Sequence, residues 1–230
     1  MAGCCGEPFW LEPYPDDELP DTVPGPEARY EPRESVSLAF LAALQCLPPV
    51  ERAALVLRDV LGFGAAEAAE ILDRDAAAVD GALERARAAL PPPGHDSAPP
   101  PGSPAECDIV ARFADAFECG DTAAVLALLA EDVWLWMPPL PFGYQGRTAA
   151  GYFLAALAFR GGSRRFRLVP TRANGQPAFG CYLRDEHAPL AHAHGLIVLT
   201  LGGDRITAIA RFLDSSVLGR FGLPRTLPEG

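Results

Sequence analysis

The sequence predicts an all-helical unit followed by an α+β unit. Before residue 91, apolar residues recur at helical spacing, and a tight turn separates the last two helical segments. The Pro-rich segment "PPPGHDSAPPPGSP" then interrupts the pattern, and helices followed by strand-like runs come after it. We therefore expect four parts: an extended acidic arm over 1–34, a helix-turn-helix unit over 35–90, a linker over 91–105 and an α+β unit over 106–230.

Charge is distributed unevenly along the chain, whose net charge is −11. Residues 1–34 contain 9 acidic residues and 2 Arg, residues 35–90 contain 8 and 5, and residues 106–230 contain 12 of each. Nucleic-acid-binding units normally carry a basic patch that neutralises phosphates. The acidic first half therefore argues against strong DNA binding by the helical unit.

Segments that would direct the chain into or across a membrane are not found in the sequence. No apolar run reaches the roughly 18 residues that a membrane helix needs, and the start "MAGCCGEPFW" has neither a basic stretch nor an apolar core. The 6 Cys include no CxxC pair, so neither a zinc site nor a disulfide framework is predicted. We expect a cytoplasmic protein with reduced thiols, no membrane contact, no metal and no cofactor.

Four helices are predicted in the helical unit. The first follows "SVSLAFLAALQCL", the second follows "PPVERAALVLRDVLGF" with Pro just inside its start, and Gly62 ends the second. A short third helix covers "AAEAAEIL", and Asp73 is expected to cap the fourth. The last two helices, joined by a tight turn, predict a helix-turn-helix. The apolar face of the fourth helix comprises Val79, Leu83, Ala86 and Leu90.

The α+β unit begins with helices and ends with strands. "DIVARFADAFECGDTAAVLALLAEDV" predicts two amphipathic helices with a break at Gly120, and "GRTAAGYFLAAL" predicts a third. Four strand-like runs follow: "RRFRLVPTRA", "PAFGCYLRD", "AHAHGLIVLTL" and "DRITAIARFLD". Since Gly, Asn, Asp or Pro bounds each run, we expect hairpin-linked strands that form an antiparallel sheet wrapped against the helices.

Three motifs stand in order within the helical unit: "LPPVERAALVLRDVLGF", "AAEAAEIL" and "ALERARAAL". Over residues 35–90 they resemble region 4 of extracytoplasmic-function (ECF) sigma factors, of the sigma-70 family. Upstream, "WLEPYPDDELPD" is similar to the linker before region 4 in the subgroup with a fused C-terminal domain. Factors of this kind begin with a region 2 that binds core polymerase and melts promoter DNA, and we expect this chain to lack it.

Two further segments, "EDVWLWMPPLPFGYQGRTAAGYFLA" and "FLDSSVLGRFGLP", characterise the second unit. Across residues 106–225 they are similar to SnoaL-like domains, which are related to polyketide cyclases, limonene epoxide hydrolase and ketosteroid isomerase. The resemblance implies a cone-shaped α+β barrel with an internal pocket, where a few polar groups work in an apolar cavity. It also leaves a homodimer open, because such barrels often pair through the open sheet face.

The fourth helix of the helical unit opens with "DRDAAAVD", which contains three carboxylates. A recognition helix uses its leading residues on base edges and flanking basic residues on phosphates. Only Arg74 lies near the start, and Arg85 and Arg87 follow later in the helix. These three arginines are the candidate DNA contacts, whereas the acids favour a scaffold or a protein-docking surface.

Polar side chains on the predicted strands are candidates for acid/base catalysis. Strand alternation places His192 and His194 on one face with the apolar residues Leu196 and Val198, and a His titrates near neutral pH. Arg211 and Asp214 fall on opposite faces, so a regular strand would send only one of them inward. Tyr182 could donate to a developing oxyanion. The catalytic candidates are therefore His194, Asp214, Tyr182 and Arg211, with His192 as a binding residue; a core, rim or cap position is the alternative for each.

Aromatic residues of the α+β unit are candidates for ligand binding. In "DVWLWMPP", Trp134 and Trp136 share one face while Met137 lies on the other, and either face could line a cavity. Tyr144 is expected at the mouth of the pocket. Packing in the core is the ordinary alternative for aromatic residues at such spacing.

Two functions remain open on the sequence. The first is cofactor-free acid/base catalysis on a small organic molecule, such as cyclisation, isomerisation, dehydration or epoxide opening, in a chain that has kept a sigma-factor fold. The second is regulation of transcription, with RNA polymerase core and DNA as partners and a pocket that senses a ligand. No nucleophile elbow, phosphate-binding loop or dinucleotide motif points elsewhere.

Overall fold

The structure, a computed structural model, describes residues 12–18, 44, 47–89, 98–138, 140, 143–185 and 187–228. Most of the first predicted helix, together with Leu90, lies outside the described residues. The predicted fold class, an all-helical unit followed by an α+β unit, is confirmed.

The helical unit contains α1 (Pro49–Leu55), α2 (Ala65–Ile71) and α3 (Ala76–Ala89). Helix α1 starts with Pro in its first turn, continues as a π-helical turn over Val56–Val60 and stops before Gly62, which has a φ of 73°. The apolar face of α3 packs against α1 and α2. The buried core of the unit includes Ala54, Leu55, Ala68, Val79, Ala82, Leu83 and Ala86.

The cap of α3 is Asp75, so the prediction of Asp73 was wrong. The carboxylate of Asp75 accepts a hydrogen bond from the backbone N–H of Ala78 at 2.7 Å. Asp73 instead adopts a φ of 50° in the turn after α2. Because a capping side chain must reach the second or third N–H of its helix, the residue just before Ala76 takes this role.

Three helices precede or flank the sheet of the second unit: α4 (Pro104–Cys119), α5 (Thr122–Leu128) and α6 (Arg147–Tyr152). Gly120, with a φ of 69°, ends α4 as predicted, and the Asp121 carboxylate caps α5. Helix α6 continues as a π-helical turn over Phe153–Ala158. A short 3-10 turn, Arg160–Gly162, then leads into the strands.

Among the described residues the sheet has seven strands, in the order β2-β1-β6-β5-β4-β3 with β7 also pairing with β5. All described pairs are antiparallel except β1 with β6. The expectation of a purely antiparallel sheet was therefore wrong at one pair, because β1 follows directly from α5 and enters beside β6 in the same direction. The strands are β1 (Leu129–Trp136), β2 (Gly143–Gln145), β3 (Phe166–Ala173), β4 (Gln176–Arg184), β5 (Leu190–Gly202), β6 (Arg205–Phe212) and β7 (Thr226–Pro228).

The two sides of the sheet have different neighbours. The side that faces α4, α5 and α6, called here the helix-facing side, is packed with apolar side chains, including Phe113, Leu135 and Phe179. The other side, called the outer side, carries Leu196 and Phe212 beneath a 3-10 helix over Ser215–Phe221. Side chains that alternate along one strand therefore enter two separate clusters.

The described part of the acidic arm, residues 12–18, lies against the turn between β3 and β4. Pro15 forms an antiparallel bridge with Ala173, and Asp16 pairs with Arg172 at 3.2 Å. The backbone N–H of Tyr14 donates to the side chain of Asn174 at 2.8 Å. These contacts fix the arm to the α+β unit.

Candidate functional site

A buried arginine and a histidine meet on the helix-facing side of the sheet. Arg211 follows Ile209 on β6 with the same side-chain direction, and only 5% of its surface is exposed. Its Nη2 lies 3.3 Å from Nδ1 of His194, on the neighbouring strand β5. The guanidinium also lies over the ring of Phe166, 5.2 Å from the centroid. Among the described residues, Nε of Arg211 has no hydrogen-bond partner.

The contact with Arg211 determines the hydrogen-bonding state of His194. An arginine can only donate, so Nδ1 of His194 accepts and the ring proton lies on Nε2. Burial, followed by the charge of Arg211, lowers the pKa of His194 below its ordinary value. The neutral ring therefore offers an N–H donor at Nε2.

Cys181 is a further buried polar group at this place, and sequence reasoning missed it. Its thiol is fully buried, and burial raises the pKa to about 11, although the charge of Arg211 and a hydrogen bond from it act in the opposite direction. The thiol therefore stays protonated at neutral pH and is a poor nucleophile. The signal in the sequence is the alternation in "FGCYLRD", which sends Cys181 and Tyr182 to opposite sides.

A cavity of about 380 Å³ opens beside His194. Its lining combines the ends of β4 and β5 with the turn that follows α6. The carboxylate of Asp185 lies 3.2 Å from Nε2 of His192 and accepts the backbone N–H of His187, and these hydrogen bonds lower its pKa. The polar lining residues are Arg160, Ser163, Arg164, Arg184, Asp185, His187, His192 and His194.

The arginines at the cavity were also missed from the sequence. Arg184 ends β4, whereas Arg160 and Arg164 lie in the arginine-rich segment "FRGGSRRFR". Its turn includes two glycines with positive φ, Gly161 and Gly162, and Arg160 itself has a φ of 46°. Because the direction of each arginine depends on this turn, helical or strand periodicity does not predict which of them reach the cavity.

Two of the four catalytic candidates lie elsewhere. Tyr182 is on the outer side of the sheet, where its hydroxyl donates to the carbonyl of Pro224 at 2.8 Å and burial raises its pKa. Asp214 is exposed after the end of β6, and its carboxylate accepts the N–H of Ser216, which lowers its pKa. The structure therefore brings together His194 and Arg211 but not these two side chains.

Trp134 and Trp136 lie on the outer side of the sheet and stack on each other. Their ring centroids are 5.0 Å apart and the rings are nearly parallel, at 2°. Both belong to an apolar cluster that also contains Ala208 of β6 and the core of the helical unit, including Leu55 and Leu83. The tryptophan pair is therefore part of the contact between the two units.

Met137 and Tyr144 lie on the helix-facing side. Met137 is buried in the same cluster as Leu135, and Tyr144 is partly buried with its ring 5.3 Å from that of Phe153. Neither residue lines the cavity beside His194. Their packing corresponds to the core alternative that the sequence left open.

The three candidate DNA contacts lie at the surface of the helical unit. Arg85 pairs with Glu51 at 2.8 Å, and Arg87 makes two hydrogen bonds to Asp59. Arg74 is exposed. Exposed ion pairs of this kind are weak, so they leave the arginines available to a stronger partner.

Neither a metal-binding cluster nor a membrane-spanning helix is found in the part of the chain that the structure describes. Within the described ranges, no group of three or more His, Cys, Asp or Glu could hold a metal ion. In the same part of the chain, no helix has the length and apolar character that crossing a membrane requires.

Comparison with known proteins gives relatives for both units. Residues 37–90 match the family model described as sigma-70, region 4. The chain is 39% identical over 227 residues to the ECF RNA polymerase sigma factor SigG of Mycobacterium tuberculosis, in strains CDC 1551 and H37Rv alike. The match covers 96% of this chain and 60% of SigG. The chain thus spans less than two thirds of the length of these curated relatives.

Among solved structures, the ECF sigma factor SigJ of M. tuberculosis matches 83% of this chain and 68% of its own, with 23% identity and a TM-score of 0.47. An NTF2-like protein from Mesorhizobium loti covers 50% of this chain and 96% of its own, with 21% identity and a TM-score of 0.41. The match to an LEH-like epoxide hydrolase of M. tuberculosis covers 53% of this chain and 92% of the hydrolase, with 16% identity and a TM-score of 0.39.

Proposed function

We propose that this chain, which carries a sigma-70 region 4 domain and is homologous to an ECF sigma factor through both of its units, acts in transcription initiation. Its partners would be RNA polymerase core and promoter DNA, and its α+β unit would regulate the region 4 domain. The homology supports this proposal because it extends over 96% of the chain and includes the α+β unit as well as region 4.

The apolar contact between the units carries the regulatory part of the proposal. Trp134 and Trp136 are 9% and 7% exposed and share one cluster with the core of the helical unit. Aromatic side chains of this size dominate the energetics of contacts they enter. A region 4 domain packed on this pair is held in one position relative to the sheet, rather than being tethered only by a linker.

Strand β6 connects this contact with the cavity region. Ala208 of β6 belongs to the contact cluster, while Arg211 of the same strand lies on the helix-facing side and hydrogen-bonds His194. A ligand that displaces His194 or Arg211 would therefore act on a strand that the helical unit touches. This arrangement supports a pocket that senses a ligand and alters the region 4 contact.

The charge of α3 predicts weak DNA binding by the chain alone. Asp80 and Glu84 are exposed on this helix, and Asp75 is exposed at its start. Carboxylates near phosphates oppose binding, and Arg85 and Arg87 must exchange their intramolecular partners. We therefore expect DNA affinity to depend on the polymerase.

Binding of a labelled promoter duplex to protein, measured as the fraction of the duplex retained, tests this function. The duplex is incubated with the chain, with purified core polymerase and with both, at increasing salt. We expect the strongest retention with both proteins present, and a further gain when Asp80 and Glu84, the exposed acids within α3, are changed to Arg. Equal retention by core polymerase with and without the chain would overturn the proposal.

Acid/base catalysis is a second candidate, favoured by one observation: His194 lines a cavity and contacts a buried arginine. With Nδ1 accepting from Arg211, the ring is suited to donate from Nε2 to a developing oxyanion rather than to remove a proton. The test is turnover of small carbonyl compounds and epoxides by the wild type, His194→Ala and the control Tyr152→Ala, at an exposed residue outside the cavity. Turnover unaffected by His194→Ala, or absent in the wild type, contradicts this candidate.

A further inference from the structure

We propose that the cavity beside His194 binds a small organic anion, bearing a carboxylate or a phosphate group, through Arg160, Arg164 and His194. The inference deepens the proposed function, since it names the class of ligand that the α+β unit would sense. Binding is a property of the isolated chain, so it is measured without polymerase or DNA.

Positive charge is concentrated at this cavity. Arg160 and Arg164 lie four residues apart after α6 and both line the cavity. Among the described residues neither guanidinium forms an ion pair with a carboxylate. The one carboxylate among the described lining residues, that of Asp185, is already engaged by the backbone of His187 and by the ring of His192. Within the part of the chain that the structure describes, the lining therefore offers cations whose charge no neighbouring acid offsets.

The cations also repel one another. Partial burial lowers the pKa of Arg164, and the nearby charges of Arg160 and Arg211 lower it further. Like charges held close together in a partly buried place are unfavourable unless an anion lies between them. An anionic group in the cavity would offset this repulsion and accept charge-assisted hydrogen bonds from the guanidinium groups.

The remaining lining indicates what the anion carries. His194 adds a neutral donor at Nε2, because Arg211 holds its Nδ1. Leu183 and Ala193 contribute apolar surface. The volume of about 380 Å³ is that of a small-molecule site and exceeds what a bare phosphate ion needs. The cavity therefore fits an anionic head group on a small apolar body.

Calorimetric titration of the full chain with three probes tests this site: benzoate, phenyl phosphate and the neutral analogue benzamide. We expect one or both anions to bind and benzamide not to bind. Arg164→Gln should weaken binding of that anion by about tenfold or more, as expected for loss of a charge-assisted hydrogen bond. Benzoate and phenyl phosphate together distinguish a carboxylate site from a phosphate site.

The matched control is Arg112→Gln, which makes the same charge change on an exposed residue of α4 that pairs with Asp108. This control should bind like the wild type. Arg160→Gln, at an exposed residue, replaces Arg164→Gln if circular dichroism shows that the latter is unfolded. Absence of binding by both anions, equal binding of benzamide, or equal weakening in the Arg112 control would overturn the site. None of these results bears on retention of promoter DNA, so the two proposals fail separately.

Discussion

Two groups of arginines in this chain have different surroundings. Arg85 and Arg87 on α3 are exposed and paired with Glu51 and Asp59 of the neighbouring helix region. At the cavity of the α+β unit, Arg160 and Arg164 form no such pairs among the described residues, and Arg211 behind them is buried against a neutral histidine. The two arginines of α3 thus have carboxylate partners within the helical unit, whereas among the described residues Arg160 and Arg164 at the cavity have none.

The largest effect is expected from Gly195→Ala, which would disrupt the backbone beside His194 and so the group of arginines at the cavity. Gly195 has a φ of 105°, and a Cβ there would lie 1.9 Å from the carbonyl oxygen of Phe212. We expect a loss of more than about 4 kcal/mol in the free energy of unfolding, measured by urea denaturation. Gly203→Ala, at a φ of 60° with open space around it, is the control and should cost about 1 to 2 kcal/mol. Similar losses in the two variants would show that the backbone approach at Gly195 does not hold His194 in place.

Trp136→Ala would weaken the apolar contact between the helical unit and the α+β unit, each of which carries one group of arginines. The side chain is 7% exposed, and removal of a buried Trp typically costs about 3 to 5 kcal/mol. Hydrogen exchange should show lost protection in α1 and α3 as well as in β1. Tyr152→Ala is the control, because this aromatic residue is 68% exposed. Unchanged exchange in the helical unit would contradict the contact.

Arg211→Met would remove the buried cation while keeping an apolar side chain of comparable length. Since the charge of Arg211 lowers the pKa of His194, we expect that pKa to rise in the variant. NMR titration of the His194 ring in the variant and in the wild type measures it. A fall, or no change, in the His194 pKa would contradict the contact between the two side chains.

Stability should depend on pH through the same histidine. The folded chain holds the pKa of His194 below its ordinary value of 6.5, so between these two values the unfolded chain binds more protons. The contribution of His194 to stability is present above pH 6.5. It is lost as the pH falls from 6.5 toward the pKa of His194 in the folded chain. Urea denaturation between pH 7.5 and 5.5 should show this decline, and His194→Gln should reduce its slope. An unchanged slope in His194→Gln, compared with the control His187→Gln, would contradict it.

The smallest effect is expected for the arginines of α3, Arg85 and Arg87. Arg85 is 64% exposed in its side chain, and an exposed ion pair contributes about 0.5 kcal/mol. Arg85→Ala should therefore leave the unfolding midpoint in urea almost unchanged. A loss as large as that of a core residue would mean that the Arg85–Glu51 pair has a structural role.

Sequence periodicity was sufficient to predict most helices and strands and part of the candidate site. Alternation along β5 placed His194 on one face with Leu196 and Val198, and this was wrong. Those two residues pack on the outer side while His194 meets Arg211 on the helix-facing side, because a register irregularity and the positive φ of Gly195 shift the alternation between them. Alternation along β6 accounts for Arg211, which shares a side with Ile209. It did not locate Arg160 and Arg164, since a turn with positive φ angles sets their direction. It also missed the parallel pairing of β1 with β6, which depends on tertiary packing.

The most direct test of the central claim is sedimentation velocity of the 230-residue chain with purified core RNA polymerase. The account predicts that the chain sediments with the polymerase and that an excess of a full-length ECF sigma factor displaces it. A chain that sediments alone at all polymerase concentrations would contradict a role in transcription initiation.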